Sequence, residues 1–274
     1  MHRILSRHLL APDVVRLWVD APAVARKRRP GQFVIVRLAE HGERIPLTIA
    51  DVDPGGGAIS LIVQGVGKST KALNAMREGD VIRDVAGPLG QPTHIEPGKR
   101  ICCVGGGIGT AVVLPIARGF KAAGGHVTAI LGARTRDLLI LEDDVRGIAD
   151  ETIVTTDDGS CGARGLVTDA LREVIANART PLDEVVAVGP VPMMRAVCET
   201  TRPLAIRTTV SLNPIMIDGT GMCGGCRISV GGQQKFVCVD GPEFDGHAVD
   251  FGELMARLAA YRDLEREALQ QAGV

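Results

Sequence analysis

Three cysteines toward the C-terminal end of the sequence have a spacing that can hold a metal cluster. Cys223, Cys226 and Cys238 lie in the glycine-rich segment DGTGMCGGCRISVGGQQKFVCVDGP. A [2Fe-2S] cluster needs four protein ligands on a backbone that wraps closely around it, and glycine permits such turns. A fourth cysteine is missing from this segment, and Asp218, five residues before Cys223, is the nearest residue that could replace it. The spacing therefore favours a [2Fe-2S] site.

Two other sites use a similar pattern. A zinc knuckle would combine Cys223, Cys226 and Cys238 with either Asp218 or His247. A thioredoxin-like redox pair would need only Cys223 and Cys226. Asp218 is in addition a residue type that is common in turns. The other motifs of the chain are needed to choose between these alternatives.

A second glycine-rich segment follows a strongly apolar run and precedes a predicted helix that starts at Thr110. It contains Gly105, Gly106, Gly107 and Gly109. The free N–H groups at the start of a helix attract anions, and glycine lets a phosphate approach the backbone. The segment lacks the full dinucleotide fingerprint, so a tight turn without a ligand is the alternative. We predict that it binds the pyrophosphate of a nicotinamide nucleotide.

The ends of the later predicted strands carry further candidate residues. In a parallel sheet the carboxyl ends of the strands border one ligand crevice. We expect the side chains and backbone there to line the same nucleotide site, although a solvated surface arginine is the alternative for Arg134. These predicted residues are Arg134, Asp157, Asp158, Gly189 and Met193.

The N-terminal part contains a cation, a rigid proline and a hydroxyl within Arg44–Thr48. An arginine can pair with a pyrophosphate, and a threonine can hydrogen-bond a flavin ring. A helix start some twenty residues on offers further N–H groups. A P-loop is excluded there because the pattern requires glycine where Ile62 stands. The predicted flavin-binding residues are Arg44, Pro46, Leu47, Thr48, Gly67, Ser69 and Thr70.

Two kinds of fold must position these residues. Short β-branched runs separated by Pro, Gly and Asp predict a small antiparallel β-barrel in the first hundred residues. From about Lys99, apolar strands alternate with helices, which predicts an α/β domain with a doubly wound parallel sheet. A polar amphipathic helix is predicted over 249–273. The predicted domains are 1–97 for FAD, 98–210 for NAD(P), and 211–274 for the cluster loop and C-terminal helix.

Composition narrows the classes of partner and compartment. The chain has 274 residues, of which 45% are hydrophobic and 23% charged, and a net charge of −1. This balance indicates a globular protein, and a net charge near zero provides no electrostatic field that would attract nucleic acid or anionic lipid. We also expect no membrane span and no secretory signal, hence a cytoplasmic protein. Cys102, Cys103 and Cys198 lie in apolar stretches and are predicted to be core residues.

The order of the three motifs resembles the ferredoxin–NADP reductase superfamily, in which an FAD barrel precedes a pyridine-nucleotide domain. The C-terminal segment narrows this resemblance. Asn213 to Cys226, with Phe236 to His247, is similar to the small subunit of NADH-dependent reduced ferredoxin:NADP oxidoreductase, a family that includes sulfide dehydrogenase flavin subunits. The resemblance covers nearly the whole chain.

That resemblance implies an oxidoreductase subunit with FAD, NAD(H) or NADP(H), and a [2Fe-2S] cluster. The ligands carried over from it are Asp218, Cys223, Cys226 and Cys238. Hydride from the nucleotide would pass to FAD and leave as single electrons, so no side chain is assigned a catalytic role. The resemblance also implies a heterodimer with a larger flavin and [4Fe-4S] subunit, which would communicate with ferredoxin and carry out electron bifurcation.

Three alternatives stay open. The electron-transfer subunit of dihydroorotate dehydrogenase is similar in all three parts but has a cysteine where Asp218 stands, and a sulfide dehydrogenase is a further option. In another class, a zinc-stabilised domain would sense a dinucleotide without turnover. Such a sensor has no need of the Arg44 motif.

Overall fold

A computed structural model describes residues 1–271, and these form two compact units. The first unit contains Met1–Pro92, Asn213–Pro242 and the segment from Asp250 onward. The second unit contains Thr93–Leu212 and Glu243–Val249. The segment with the three cysteines is thus part of the same compact unit as the N-terminal residues. The division of the chain into domains 1–97, 98–210 and 211–274 stays a prediction.

Strands and helices follow one another along the chain with short connections. The strands are β1 (His2–Ala11), β2 (Val14–Asp20), β3 (Phe33–Arg37), β4 (Arg44–Val52), β5 (Ala58–Gln64), β6 (Val81–Ile82), β7 (Asp84–Leu89), β8 (Arg100–Gly106), β9 (His126–Ala133), β10 (Glu151–Thr156), β11 (Ala163–Arg164), β12 (Glu184–Val188), β13 (Arg207–Ser211), β14 (Arg227–Val230), β15 (Gln233–Phe236) and β16 (Glu243–Asp245). The helices are α1 (Pro22–Ala25), α2 (Lys68–Ala75), α3 (Thr110–Ala122), α4 (Glu142–Arg146), α5 (Val167–Asn177), α6 (Val191–Thr201), α7 (Val237–Asp240), α8 (Phe251–Ala259) and α9 (Arg262–Gln271).

The first unit is built on a seven-stranded antiparallel sheet with the order β6-β1-β2-β5-β4-β3-β7. Alternate residues of β2 face the core, and the register places Leu17 opposite Leu61 and Val19 opposite Ile59. All four side chains are fully buried. Each such side chain contributes roughly 1.5–3 kcal/mol of transfer free energy. The predicted antiparallel barrel is confirmed.

The second unit contains a seven-stranded sheet with the order β11-β10-β9-β8-β12-β13-β16. Its strands are parallel except for β16, which pairs antiparallel with β13. The central strand β8 is apolar along nearly its whole length, as expected where helices cover both faces of a sheet. Because β9 lies on one side of β8 and β12 on the other, the strand order reverses there, where ligands bind in such sheets. The predicted α/β domain is confirmed.

The C-terminal region differs from the sequence prediction, whereas the three cysteines of the apolar stretches agree with it. The single helix predicted over 249–273 is wrong, because the chain forms two helices, α8 and α9, with residues 272 and 273 outside the described part. Cys102, Cys103 and Cys198 are buried, as predicted, and burial raises the pKa of Cys102 to about 12. Within residues 1–271, no helix combines the length and apolar character needed to span a bilayer.

Candidate cofactor sites

The four predicted cluster ligands lie in one loop region of the first unit and form two pairs. Cys223 Sγ lies 3.5 Å from Asp218 Oδ1, and Cys226 Sγ lies 3.3 Å from Cys238 Sγ. Cys226 directly precedes β14 and Cys238 lies in α7, so the β14–β15 hairpin brings the second pair together. A [2Fe-2S] cluster has two irons, each held by two protein ligands, and two donor pairs suit it.

Asp218 organises the loop through its carboxylate. Its Oδ2 accepts hydrogen bonds from the N–H groups of Met222 and Cys223, both at 2.9 Å, and its Oδ1 accepts from Thr220 N–H at 3.1 Å. Desolvation raises the pKa of Asp218, but the N–H donors of Thr220, Cys223 and Met222 outweigh it and lower the pKa below its usual value. The residue is therefore an anion that shapes this turn and faces Cys223. Its role as an iron ligand stays a prediction.

The backbone also points N–H groups at the cysteine sulfurs. Gly225 N lies 3.5 Å from Cys223 Sγ, and Cys238 N lies 3.4 Å from Cys226 Sγ. Such donors stabilise thiolates and tune cluster potentials. Burial and the adjacent Cys226 thiol raise the pKa of Cys238, so metal binding must displace a proton from this buried pair.

The zinc alternative needs four donors around one point. In the described part of the chain, no three His, Cys, Asp or Glu side chains are grouped in that way. His247 belongs to the second unit, where its Nε2 lies 2.9 Å from Thr201 Oγ1 and its carbonyl accepts from Arg202. The pairwise arrangement of the cysteines favours a two-iron cluster.

The predicted flavin motif lies on a strand with one open edge. Residues Arg44–Thr48 of β4 pair with Phe33–Arg37 of β3, whereas β5 pairs with β4 only from Ile49 onward. Pro46, which has no N–H to give to a second neighbour, lies in this part of the strand. Among the described residues the other edge of Arg44–Thr48 has no partner strand, so its backbone groups are available to a ligand.

The glycine-rich start of α2 lies close to that strand. Ser69 Oγ donates a hydrogen bond to the carboxylate of Glu43, which directly precedes β4. Thr70 Oγ1 accepts from Gly67 N–H at 2.9 Å and from Val66 N–H at 3.0 Å. Its hydroxyl therefore holds the turn before α2. The structure thus brings Gly67, Ser69 and Thr70 together with the beginning of β4 in the first unit.

The glycines after β8 differ in what surrounds them. A Cβ at Gly109 would collide with the Val188 carbonyl at the end of β12, so this position needs glycine for close packing. Gly107 has φ +54°, in the left-handed region, and open space where its side chain would be. Thr110 begins α3 and is buried. The turn between β8 and α3 is therefore tightly packed on one side and open on the other.

The other predicted nucleotide residues lie at the same edge of the sheet. Met193 packs against Gly106, the last residue of β8, and against Gly189, which directly follows β12. Asp158 N–H donates to the Arg134 carbonyl at 3.2 Å. Hydrogen bonds from the hydroxyl and N–H of Ser160 lower the pKa of Asp158, while Arg134 and Asp157 are exposed. The carboxyl ends of four neighbouring parallel strands thus present the predicted residues together.

Comparison with known proteins identifies the family. Residues 213–250 match the model of the iron–sulfur cluster binding domain of dihydroorotate dehydrogenase B. A Thermotoga maritima protein described as an electron transfer subunit homolog of dihydroorotate dehydrogenase B (NAD(+)) is 48% identical over 97% of this chain and 93% of its own. The electron transfer subunit from Bacillus caldolyticus is 36% identical over 88% of this chain and 94% of its own. The chain belongs to the dihydroorotate dehydrogenase B electron transfer subunit family.

A solved structure is also similar to this chain over nearly its whole length. A chain of the NADH-dependent reduced ferredoxin-NADP oxidoreductase, studied for flavin-based electron bifurcation, has a TM-score of 0.93 and 47% identity. The match covers 99% of this chain and 97% of that chain. The predicted resemblance, the electron-transfer function and the iron–sulfur cofactor are confirmed at the level of the family. The chain is an oxidoreductase subunit of ferredoxin reductase-type fold.

Two residues near the cluster loop were not found from the sequence. Arg227 Nη1 donates to the Gly224 carbonyl at 3.1 Å, and Arg257 Nη2 donates to the Gly225 carbonyl at 3.0 Å. Arg227 directly follows Cys226 in the sequence, so its position beside a candidate ligand could have identified it. Arg257 is 32 residues from its partner, so no local pattern indicated the contact.

Proposed function

We propose that this chain is the small subunit of an NADH-dependent ferredoxin–NADP oxidoreductase. The observation that carries the proposal is the arrangement of Asp218 and the three cysteines in two donor pairs, within a chain 47% identical to the corresponding solved structure. The four residues hold a [2Fe-2S] cluster, one pair for each iron. Residues 213–250, which contain all four, match the iron–sulfur cluster binding domain of dihydroorotate dehydrogenase B.

FAD belongs to the first unit. The open edge of Arg44–Thr48 offers backbone donors and acceptors to the flavin ring, and Arg44 offers a charge to the pyrophosphate. Gly67, Ser69 and Thr70 at the start of α2 hold the same phosphates. When bound, the flavin supplies the conversion of a two-electron hydride into single-electron steps.

NAD(H) binds at the carboxyl edge of the second sheet. The N–H groups of the Gly105–Thr110 turn bind its pyrophosphate. Arg134, Asp157 and Asp158 lie at the ends of the neighbouring strands, where a ribose is bound in related sheets. Gly189 and Met193 complete the edge toward the nicotinamide. We favour NADH over NADPH because an ionised Asp158 repels a 2′-phosphate.

A larger subunit receives the electrons. Ile217, Met222 and Val239 surround the cluster ligands in the sequence and are 49%, 88% and 40% exposed. Exposed apolar side chains next to a redox group suit a protein interface. The partner carries a second flavin and [4Fe-4S] clusters, and the complex carries out electron bifurcation between NADH, NADPH and ferredoxin. We place the complex in the cytoplasm, because none of the seven cysteines of this chain forms a disulfide.

Dihydroorotate dehydrogenase B is the second candidate partner. It is favoured by the family model over residues 213–250 and by the relatives named for that enzyme. The two candidates differ in the large subunit. Co-expression of this chain with each type of large subunit, followed by measurement of which one forms a stable complex, separates them.

The first experiment is an anaerobic absorbance spectrum with iron, sulfide, zinc and FAD analysed on the same sample. We expect flavin bands, two irons, two sulfides and one FAD per chain, and bleaching of the flavin by NADH faster than by NADPH. A colourless protein with zinc and without flavin would overturn the proposal and favour a zinc-stabilised dinucleotide sensor.

A further inference from the structure

The turn between Cys223 and Cys226 is held from outside by two guanidinium groups. Arg227 donates to the carbonyl of Gly224, and Arg257 donates to the carbonyl of Gly225. Gly224 and Gly225 are the two residues between Cys223 and Cys226. Both peptide carbonyls therefore have a cationic donor, and charge-assisted hydrogen bonds of this kind are about twice as strong as neutral ones.

The hydrogen bonds orient the dipoles of the turn. The Gly224 carbonyl and the Gly225 N–H belong to one peptide group, and Gly225 N lies 3.5 Å from Cys223 Sγ. The Gly225 carbonyl and the Cys226 N–H belong to the next peptide group. A cation on the carbonyl polarises each group, which makes the opposite N–H a better donor. Arg227 thus strengthens the N–H that faces Cys223 Sγ, and Arg257 fixes the next peptide group of the same turn.

Helix α8 holds Arg257 in place through its contacts with β14. Asp250 N–H donates to the Ser229 carbonyl at 3.0 Å, and the Glu253 carboxylate accepts from Ser229 N–H at 2.9 Å. Leu254 is fully buried on the same face of the helix. Residues 250, 253, 254 and 257 recur at helical spacing, so docking of the first turn fixes the position of Arg257.

The charge of Arg257 is not neutralised by a neighbouring acid. Its guanidinium forms no ion pair with a residue of the described range 1–271, and its Nε is buried without a hydrogen-bond partner there. Arg266, in the next helix, is by contrast paired with Asp263 at 3.5 Å. A partly buried cation without an acidic partner favours a nearby group that gains negative charge.

We propose that Arg257 is a positioning residue that raises the reduction potential of the cluster by orienting the Cys223–Cys226 turn and by its own charge. The proposal rests on the cluster assignment above. One-electron reduction adds a negative charge to the cluster, and both effects stabilise the reduced form. A helix at the far end of the chain thereby sets how readily the cluster accepts an electron.

The test compares Arg257→Gln, which keeps a donor but removes the charge, with Arg257→Lys, which keeps the charge. Arg262→Gln, at an exposed position of α9, is the matched control. Potentials are measured by redox titration followed by electron paramagnetic resonance. We expect the glutamine variant to disfavour reduction by roughly tenfold, about 59 mV for one electron, while the lysine variant and the control stay near the parent.

Equal potentials for the parent and the glutamine variant, with the cluster intact in both, would overturn the proposal. If the glutamine variant loses the cluster, the lysine variant decides. A potential of the lysine variant about 59 mV below that of the control, a tenfold change in the reduction equilibrium, would overturn the role of the charge. The iron and sulfide content of the parent is measured first. A parent without two irons would reject the cluster assignment itself, which is a distinct result.

Discussion

At the scale of single residues, Asp218 combines two properties. It fixes the loop through three backbone N–H groups, and it presents an anionic oxygen 3.5 Å from Cys223 Sγ. The sequence was sufficient to select Asp218 and the three cysteines because their spacing is local. It could not reveal the three N–H contacts, since these depend on how the turn closes.

We expect Asp218→Ala to lower the iron content and Asp218→Cys to retain it. The alanine variant loses both the carboxylate and the contacts that shape the turn, whereas cysteine supplies another ligand. Iron and sulfide per chain, and the rate of cluster loss in a chelator, measure the difference. A turn role alone predicts that Asp218→Asn, which can still accept N–H bonds, retains the cluster fully; such a result would reject Asp218 as a ligand.

Glu243 gives the second unit a pH dependence. Its carboxylate is buried, accepts from Thr93 Oγ1 at 2.7 Å, and has a pKa raised to about 7, first by desolvation and also by Glu184. In the unfolded chain the pKa is about 4.3. The native state binds more protons at Glu243 than the unfolded state does between these pKa values, so the contribution of Glu243 to stability is greatest at low pH and is lost as pH rises through about 7.

The expected loss of unfolding free energy between about pH 4.5 and pH 8 is about 3 kcal/mol, from the size of the pKa shift. Glu243→Gln keeps an acceptor for Thr93 and should remove most of this dependence. Urea midpoints across that pH range measure it. Glu173→Gln, at an exposed position of α5, is the control and should keep the parent profile.

At the scale of elements, the alternation of strands and helices was predictable because apolar periodicity depends only on residues that are close in the sequence. The open edge of β4 was not, because it depends on where β5 stops pairing. The C-terminal region shows the same limit. α8 buries Phe251 and Leu254, whereas α9 buries no described side chain, and this difference in packing is invisible in a continuous polar amphipathic pattern.

The turn from β8 to α3 gives an element-scale prediction. Gly109→Ala places a methyl group against the Val188 carbonyl, so α3 or β12 must shift. We expect a loss of about 1–3 kcal/mol of stability and a higher KM for NADH. Gly147→Ala, at the helical end of α4 with ordinary contact distances, is the control. A KM for Gly109→Ala equal to that of the parent would exclude this turn from nucleotide binding.

At the scale of the whole molecule, the apolar residues beside the cluster ligands are expected to bind the larger subunit. Met222→Glu should weaken that binding at least about tenfold, as expected for a central interface residue. Binding is measured by surface plasmon resonance after absorbance has verified the cluster and flavin. Leu9→Glu replaces an exposed residue of β1, 66% accessible, and should bind normally. Normal binding by Met222→Glu would move the interface elsewhere.

The first unit is assembled from three separate stretches of chain, the last of which begins at Asp250. A ribosome therefore releases the barrel strands long before it releases the loop and helix that complete the same unit. The two donor pairs can form only after Thr93–Leu212 of the second unit has been synthesised, because that stretch precedes all four predicted ligands in the chain. A stop codon directly after Leu212 would keep β8 to β13 of the second sheet, but it would remove β16 and all four predicted cluster ligands.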